Sequence, residues 1–133
     1  MSARAARAAA LAYLVAHNVL TLATADASGL WAAAVFYASD GFDLIFLSAG
    51  HTRPARQIAA NPAVAGTIQA DYADWESIKG IQLAGRATLL AGTARNAAID
   101  LYLAKFPFVA RSPQLAPAVQ RVNWYRLSPD TLY

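Results

Sequence analysis

In the stretch GHTRPARQIAANP, residues 50–62, a histidine, a hydroxyl and two guanidinium groups fall within six positions: His51, Thr52, Arg53 and Arg56. Charged residues are only 14% of the chain, so this concentration needs a reason. Thr52 is placed to cap a helix, its side-chain oxygen accepting from an early backbone N–H. Pro54 then falls in the first turn, where a missing N–H costs nothing. Arg53 is the anomaly. A helix N-terminus carries partial positive charge, and a cation there is unfavourable by ~0.3–1 kcal/mol. That cost is recovered if an anion binds, because N–H groups, a hydroxyl and a guanidinium then converge on it as a phosphate site requires. The motif alone is also met, and more commonly, by solvated arginines around an ordinary cap.

The elements that must position these residues are read from periodicity. Residues 1–16 form an amphipathic surface helix, with Arg4 and Arg7 on one turn and Leu11, Leu14 and Val15 as its apolar stripe. The two arginines and the apolar run loosely mimic a signal peptide, but the run stops at His17-Asn18. Period two then sets in. VLTLATAD (19–26), LWAAAVFYA (30–38) and FDLIFLS (42–48) read as strands joined by turns at 27–29 and 39–41, a meander. A helix over 53–60 ends at Asn61-Pro62. AVAGTIQA (63–70) and IKGIQLAGRATLLA (78–91) are the fourth and fifth strands, separated by the polar–aromatic loop DYADWES. Gly80 and Gly85 mark bulge or close-approach positions. A helix over 92–106 has Thr93 as its N-cap. Residues 107–121 are loop-rich with one helical turn, and a sixth strand starts in 122–133. This order fits a mainly β fold: a six-stranded antiparallel barrel with helices over its openings.

Bulk properties narrow the function. The 133 residues make one domain, read as spanning 1–133. Hydrophobic residues are 57%, an excess that signals a subunit interface as well as a core. There is no cysteine, which excludes disulfides and thiolate chemistry and fits a reducing cytoplasm. The net charge is only +3 and the arginines are spread along the chain, so no nucleic-acid partner is expected. No apolar run reaches 18 residues, so no membrane span is expected. The two histidines have no carboxylates at metal-ligand spacing, so no metal is expected. No Ser-His-Asp or Walker-type pattern stands out, which leaves chemistry borrowed from a cofactor.

LATAD-SG-W, the strand after it, LS-G-HTR-ARQIAANPAVAGTI and IKGIQLAGRATLL together resemble the pyridoxamine 5′-phosphate oxidase-like FMN-binding split barrels. The likeness runs in order through most of residues 18–92 and more weakly through WYRLSPD. Its most specific piece is Thr52-Arg53-Pro54-Ala55-Arg56-Gln57-Ile58-Ala59-Ala60-Asn61-Pro62, the [ST]-R-x-A-x-Q-I-x-x-N-P pattern. HTR together with IKGIQ and a later FP is similar to a small YhbP-like branch. The resemblance implies a Greek-key split barrel with an N-terminal helix and two or three further helices. It also implies a homodimer with FMN at the subunit interface, and a phosphate site at Thr52 and Arg53, with Ser48 at the same end. The flavin would lie along the second strand at Ala33, Ala34, Val35 and Phe36.

The chain departs from the pattern where the oxidases carry cations. Pro54 stands where they have a lysine after the arginine, and Ala32 and Tyr37 match an arginine and a lysine of their second strand. His51 is a candidate replacement, since a phosphate would favour its charged form. The oxidases' flavin-contacting glutamine falls at Gly80, and Gln82, two residues on and on the same strand face, is placed to take over that contact. For each of these positions an ordinary structural role competes: tight packing for the alanines, a strand-end hydroxyl for Ser48, core or interface duty for Trp31, Trp75 and Trp124. Three functions follow from this reading. The first is an FMN-dependent oxidoreductase acting on a small molecule. The second is a non-catalytic carrier of flavin, haem or another flavin-like cofactor. The third is a structural or nucleic-acid-associated protein that has lost the pocket.

Overall fold

The computed structural model describes residues 2–133. The elements run α1 (Ala3–Ala16), β1 (Val19–Asp26), β2 (Gly29–Phe36), β3 (Ala38–Asp40), β4 (Asp43–Ser48), α2 (Arg53–Ala60), β5 (Ala63–Gln69), β6 (Gly80–Leu89), α3 (Gly92–Lys105), α4 (Pro107–Arg111), α5 (Leu115–Arg121) and β7 (Asn123–Leu132). All strand pairings are antiparallel, and the single sheet has the order β2-β1-β5-β6-β7-β4-β3.

That order forces the sheet to curl. Its two edge strands, β2 and β3, are separated in the chain by Tyr37 alone. Seven strands laid flat would put their edges about 29 Å apart at the usual spacing of ~4.8 Å. The two Cα steps across one residue span at most about 7 Å. The sheet therefore closes into a barrel that is split at this strand. Tyr37 pins the split. It is fully buried, its amide donates to the Asn18 carbonyl (3.0 Å), its hydroxyl donates to the Leu14 carbonyl (2.8 Å), and its own carbonyl accepts from Lys105 Nζ (3.1 Å).

The expected first hairpin forms in full register, from Val19↔Phe36 to Asp26↔Gly29. The expected meander does not: β4 pairs with β7 and β3, and β2 is left as an edge strand. The second strand breaks at Tyr37, and Ala38–Asp40 pair with β4 around a turn at Gly41, whose φ is 62°, so Ser39 and Asp40, expected in the turn, are strand residues. Seven strands thus replace the expected six, although β2 and β3 taken as one bent strand recover that number.

Two cores lie on either side of the β4–β7 wall. Leu44 and Phe46 face the barrel interior with Leu20, Leu22, Tyr125 and Leu127, while Ile45 faces α3–α5 with Tyr102, Phe106 and Trp124. Burial on both faces explains the unbroken apolar run of β4. α1 seals the barrel with Leu14, Ala10 and Tyr13. Val15, expected on that stripe, is instead 68% exposed. The helical content exceeds expectation. Residues 107–121 make two helices, with Pro107 and Pro117 in their first turns, where proline starts a helix. Ser112 Oγ accepts from the Leu115 amide at the start of α5 (3.2 Å). Thr93 is not a cap. Gly92, at φ 60°, turns the chain one residue earlier, and Ala91 occupies the cap position without a side-chain bond. Gly85 sits at the bulge between β6 and β7, where a Cβ would lie 2.2 Å from the Ser128 carbonyl oxygen.

Candidate functional site

The start of α2 is specified as the sequence predicts. Thr52 caps the helix, accepting from the Ala55 amide (3.4 Å) and donating to the Ala49 carbonyl (2.8 Å). With its proton so committed, Thr52 Oγ1 accepts from Ser48 Oγ at 2.7 Å. The end of β4 and the start of α2 are thereby locked together, and the two predicted hydroxyls are adjacent. His51 lies exposed just before the cap. Among the early amides of α2, Ala55 is taken by Thr52 Oγ1, Arg56 by the Thr52 carbonyl (3.0 Å), and Pro54 has none. Only the Arg53 amide is left to receive an anion.

The Arg53 guanidinium reaches across to the β1–β2 turn. It lies 4.5 Å over the Trp31 ring and 3.5 Å from the Ser28 carbonyl oxygen. Asp26, Ser28, Arg53, Arg56 and Gln57 line one open cleft there. Hydrogen bonds from the Ser28 hydroxyl and amide hold the Asp26 carboxyl below the usual carboxylate range, with the Gln57 amide and the Arg53 charge adding to the effect.

Gln57 is a residue the sequence reading did not single out. It is 1% exposed, and it ties α2 to the hairpin. Its Oε1 accepts from Thr24 Oγ1 (2.5 Å), and its Nε2 donates to Asp26 Oδ1 and to the Gly29 carbonyl (both 3.1 Å). The available signal was its place between Ala55 and Ile58, a polar residue on the buried face of a short helix.

The β2 candidates divide between two faces, as strand alternation requires. Ala33 and Val35 are half-buried, and Val35 packs on the barrel core. Ala34 and Phe36 point outward with Leu30 and Ala32. Gln82 is also exposed, and the register aligns Ala34, Thr21, Thr67 and Gln82 in one row across β2, β1, β5 and β6. Ala34 and Gln82 therefore share the outer face about 14 Å apart. The next row is Ala32, Ala23, Ala65 and Ala84, an alanine on each of the four strands. Of the other aromatic candidates, Trp124 is buried core, Trp31 carries Arg53, and Trp75 is 93% exposed in the 71–79 loop. Among the described residues no group of three His, Cys, Asp or Glu could hold a metal ion, and no helix is long and apolar enough to cross a membrane.

Residues 6–133 match the family model described as pyridoxamine 5′-phosphate oxidase. The chain belongs to that family. A UPF0306 protein of Yersinia pestis bv. Antiqua (strain Angola) is 36% identical over 97 residues, which is 71% of this chain and 66% of the relative. The chain thus spans just under two-thirds of the curated relatives it matches. Among solved structures, a FAD-binding protein from Mesorhizobium loti is similar with a TM-score of 0.75 at 18% identity, covering 99% of this chain and 92% of its own. The haem storage protein HutZ of Vibrio cholerae is similar with a TM-score of 0.71 at 18% identity, over 92% of this chain and 89% of that one. Identities this low establish the shared split-barrel fold of this oxidase-like family, not a shared ligand.

Proposed function

We propose that this protein binds FMN at an interface between two copies of the chain in the cytoplasm and acts as a flavin-dependent oxidoreductase on a small molecule. The observation that carries the reading is the Ser48–Thr52–Arg53 cluster at the α2 N-terminus of a pyridoxamine 5′-phosphate oxidase-family fold. Arg53, through its guanidinium and its free amide and with His51 beside it, would hold the phosphate, and Ser48 and Thr52 would join by turning onto it the hydroxyl protons they give to Thr52 and to the Ala49 carbonyl. Ala33, Ala34, Val35, Phe36 and Gln82 would border the ring, side chains from the outward positions and backbone from the others. The alanine row supports an interface here, since it offers a low apolar surface that a flat ring or a second copy can approach closely. Bound there, the flavin would supply the electron transfer for which the candidate site offers no side chain of its own. The protein would supply position, a dry surface and the phosphate anchor.

The residues fit the phosphate end of FMN better than the ring end. Ala32 has no charge to offer, and the Tyr37 hydroxyl is spent on the Leu14 carbonyl inside the barrel. That observation favours a second reading, a carrier of haem or another flavin-like cofactor without turnover. One experiment separates the two. The purified protein is incubated with FMN, passed through gel filtration and scanned for absorbance, alongside Arg53→Ala. Flavin bands that co-elute with a dimer, weakened roughly 10- to 100-fold in affinity by Arg53→Ala, support the first reading. An unchanged affinity in the variant refutes the phosphate role of Arg53. A colourless eluate that takes up haemin favours the second reading.

A further inference from the structure

Between α3, α4, α5 and the ends of β2 and β4 lies a hollow of about 280 Å³ that none of the cofactor contacts above occupies, apart from Phe36 at its rim. Its walls include Leu47, Tyr102, Val109, Ala118 and Val119, and no lining side chain is charged. Phe36 and Phe108, each 50% exposed, and Leu115, 43% exposed, leave its mouth open.

One polar side chain lines it. Tyr102 is 95% buried, its ring is fixed between Phe106 and Trp124 (centroids 4.9 and 5.1 Å), and its hydroxyl has no hydrogen-bond partner among the described residues. The neighbouring buried donor, Trp124 Nε1, is already satisfied by the Val119 carbonyl at 2.9 Å. Burial pushes the Tyr102 hydroxyl up to about 12, so it stays a neutral donor at ordinary pH. Among the described residues no fully buried side-chain oxygen or nitrogen lacks a partner, so the Tyr102 hydroxyl keeps a small area open to the hollow, and a ligand atom that accepts from it takes the place of water there.

We propose that this hollow binds a small, uncharged aromatic molecule that carries one hydrogen-bonding oxygen, packed among the apolar walls and held by the Tyr102 hydroxyl. The volume lies at the lower end of small-molecule sites, which limits the ligand to one or two rings. An anionic ligand is rejected, because nothing in the lining replaces its hydration. Phe36 ends the strand proposed to border the flavin, so this ligand would meet the ring edge as the substrate. That role rests on the flavin reading. The binding itself does not.

The test uses the flavin-free protein and three probes: 2-naphthol, naphthalene and 2-naphthalenesulfonate, each titrated by fluorescence. One 2-naphthol should bind per chain, and the sulfonate should bind at least about 10-fold more weakly. Tyr102→Phe should weaken 2-naphthol up to about 10-fold and leave naphthalene unchanged. Ala118→Phe, which fills the hollow from α5, should abolish both. If 2-naphthol does not bind, or binds Tyr102→Phe and Ala118→Phe as it binds the parent protein, the proposal is overturned. A change in sedimentation of Ala118→Phe with no change in probe binding also overturns it, by assigning the hollow to a contact between copies. Should Ala118→Phe fail to fold, Tyr102→Phe alone decides. Arg53→Ala leaves 2-naphthol binding intact whether or not FMN binds, so failure of the flavin reading and failure of this one register in different variants.

Discussion

Gln57→Leu tests the link between α2 and the hairpin that it steadies. In the native protein Thr24, 2% exposed, donates to Gln57 Oε1 at 2.5 Å, and its hydroxyl has no other partner among the described residues. Leucine keeps the approximate shape but removes the acceptor, stranding a buried donor at a cost of about 1–3 kcal/mol. Loss of the Nε2 bond to the Gly29 carbonyl adds about 0.5–1.5 kcal/mol. The expected destabilisation is therefore about 3 kcal/mol, a large share of a typical domain's stability. The argument is sharper in a cycle with Thr24→Val. If the penalty comes from the stranded hydroxyl, Thr24→Val made in the Gln57→Leu background should recover about 1–3 kcal/mol, since removing both partners leaves nothing unpaired. Urea unfolding of the four proteins reads this directly. Additivity of the two single changes within about 0.5 kcal/mol would refute the claim that Thr24 and Gln57 act as a pair. The same variant loosens the turn that holds the Ser28 carbonyl against Arg53, so its FMN affinity should fall even at temperatures where it stays folded.

Gly85→Ala should cost about 1–3 kcal/mol in the same unfolding assay, because its Cβ meets the Ser128 carbonyl oxygen and the Pro129 Cα, which are backbone and cannot swing aside. Alkaline pH should unfold the protein. Burial raises Tyr37, and raises Tyr102 to about 12, while burial and Tyr72 raise Tyr13 to about 12. A raised acid keeps its proton longer in the folded state, so stability is intact below about pH 10 and falls as pH rises towards these folded values. Tyrosinate absorbance should rise together with loss of ellipticity, and Tyr102→Phe should flatten the decline.

How far the sequence was legible depended on whether the deciding force was local. The α2 cap, the first hairpin and Gly85 at its bulge follow from residue chemistry within a few positions, and each stands as read. The break at Tyr37 does not. LWAAAVFYA has uninterrupted strand character, and only closure of the barrel decides that it breaks at Tyr37 and that Ala38 serves β4 instead of β1. The helices in 107–121 were hidden by prolines that read as breakers but sit in first turns, where they are tolerated. In the candidate site, Ser48 and Thr52 are joined because they flank one cap, while the Arg53 guanidinium turns to Trp31 and the Ser28 carbonyl, a direction set by the distant β1–β2 turn. Gln57 was missed because its role lies in three bonds to a hairpin 28 to 33 positions earlier in the chain.

The two kinds of arginine in this fold show why Arg53 is the one to follow. Arg126 is committed: it pairs with Asp40 at 3.1 Å and Asp43 at 3.0 Å, clamping the β3–β4 turn onto β7. Re-aiming it would break two ion pairs. Arg53 forms no ion pair among the described residues, and its long bond to Ser28 and its place over Trp31 are weak, directional holds. A phosphate can take such a guanidinium at little cost, whereas the opposite end of the proposed site has lost its charge to Ala32 and to a tyrosine spent inside the barrel. With attraction concentrated at the phosphate and little but shape at the ring, the chain should hold FMN through its anchor and discriminate poorly among flat rings. Riboflavin, which lacks the phosphate, should then bind far more weakly than FMN, and Arg53→Ala should erase most of that difference. Equal affinity for riboflavin and FMN in the parent protein would show that the α2 cluster is not the anchor.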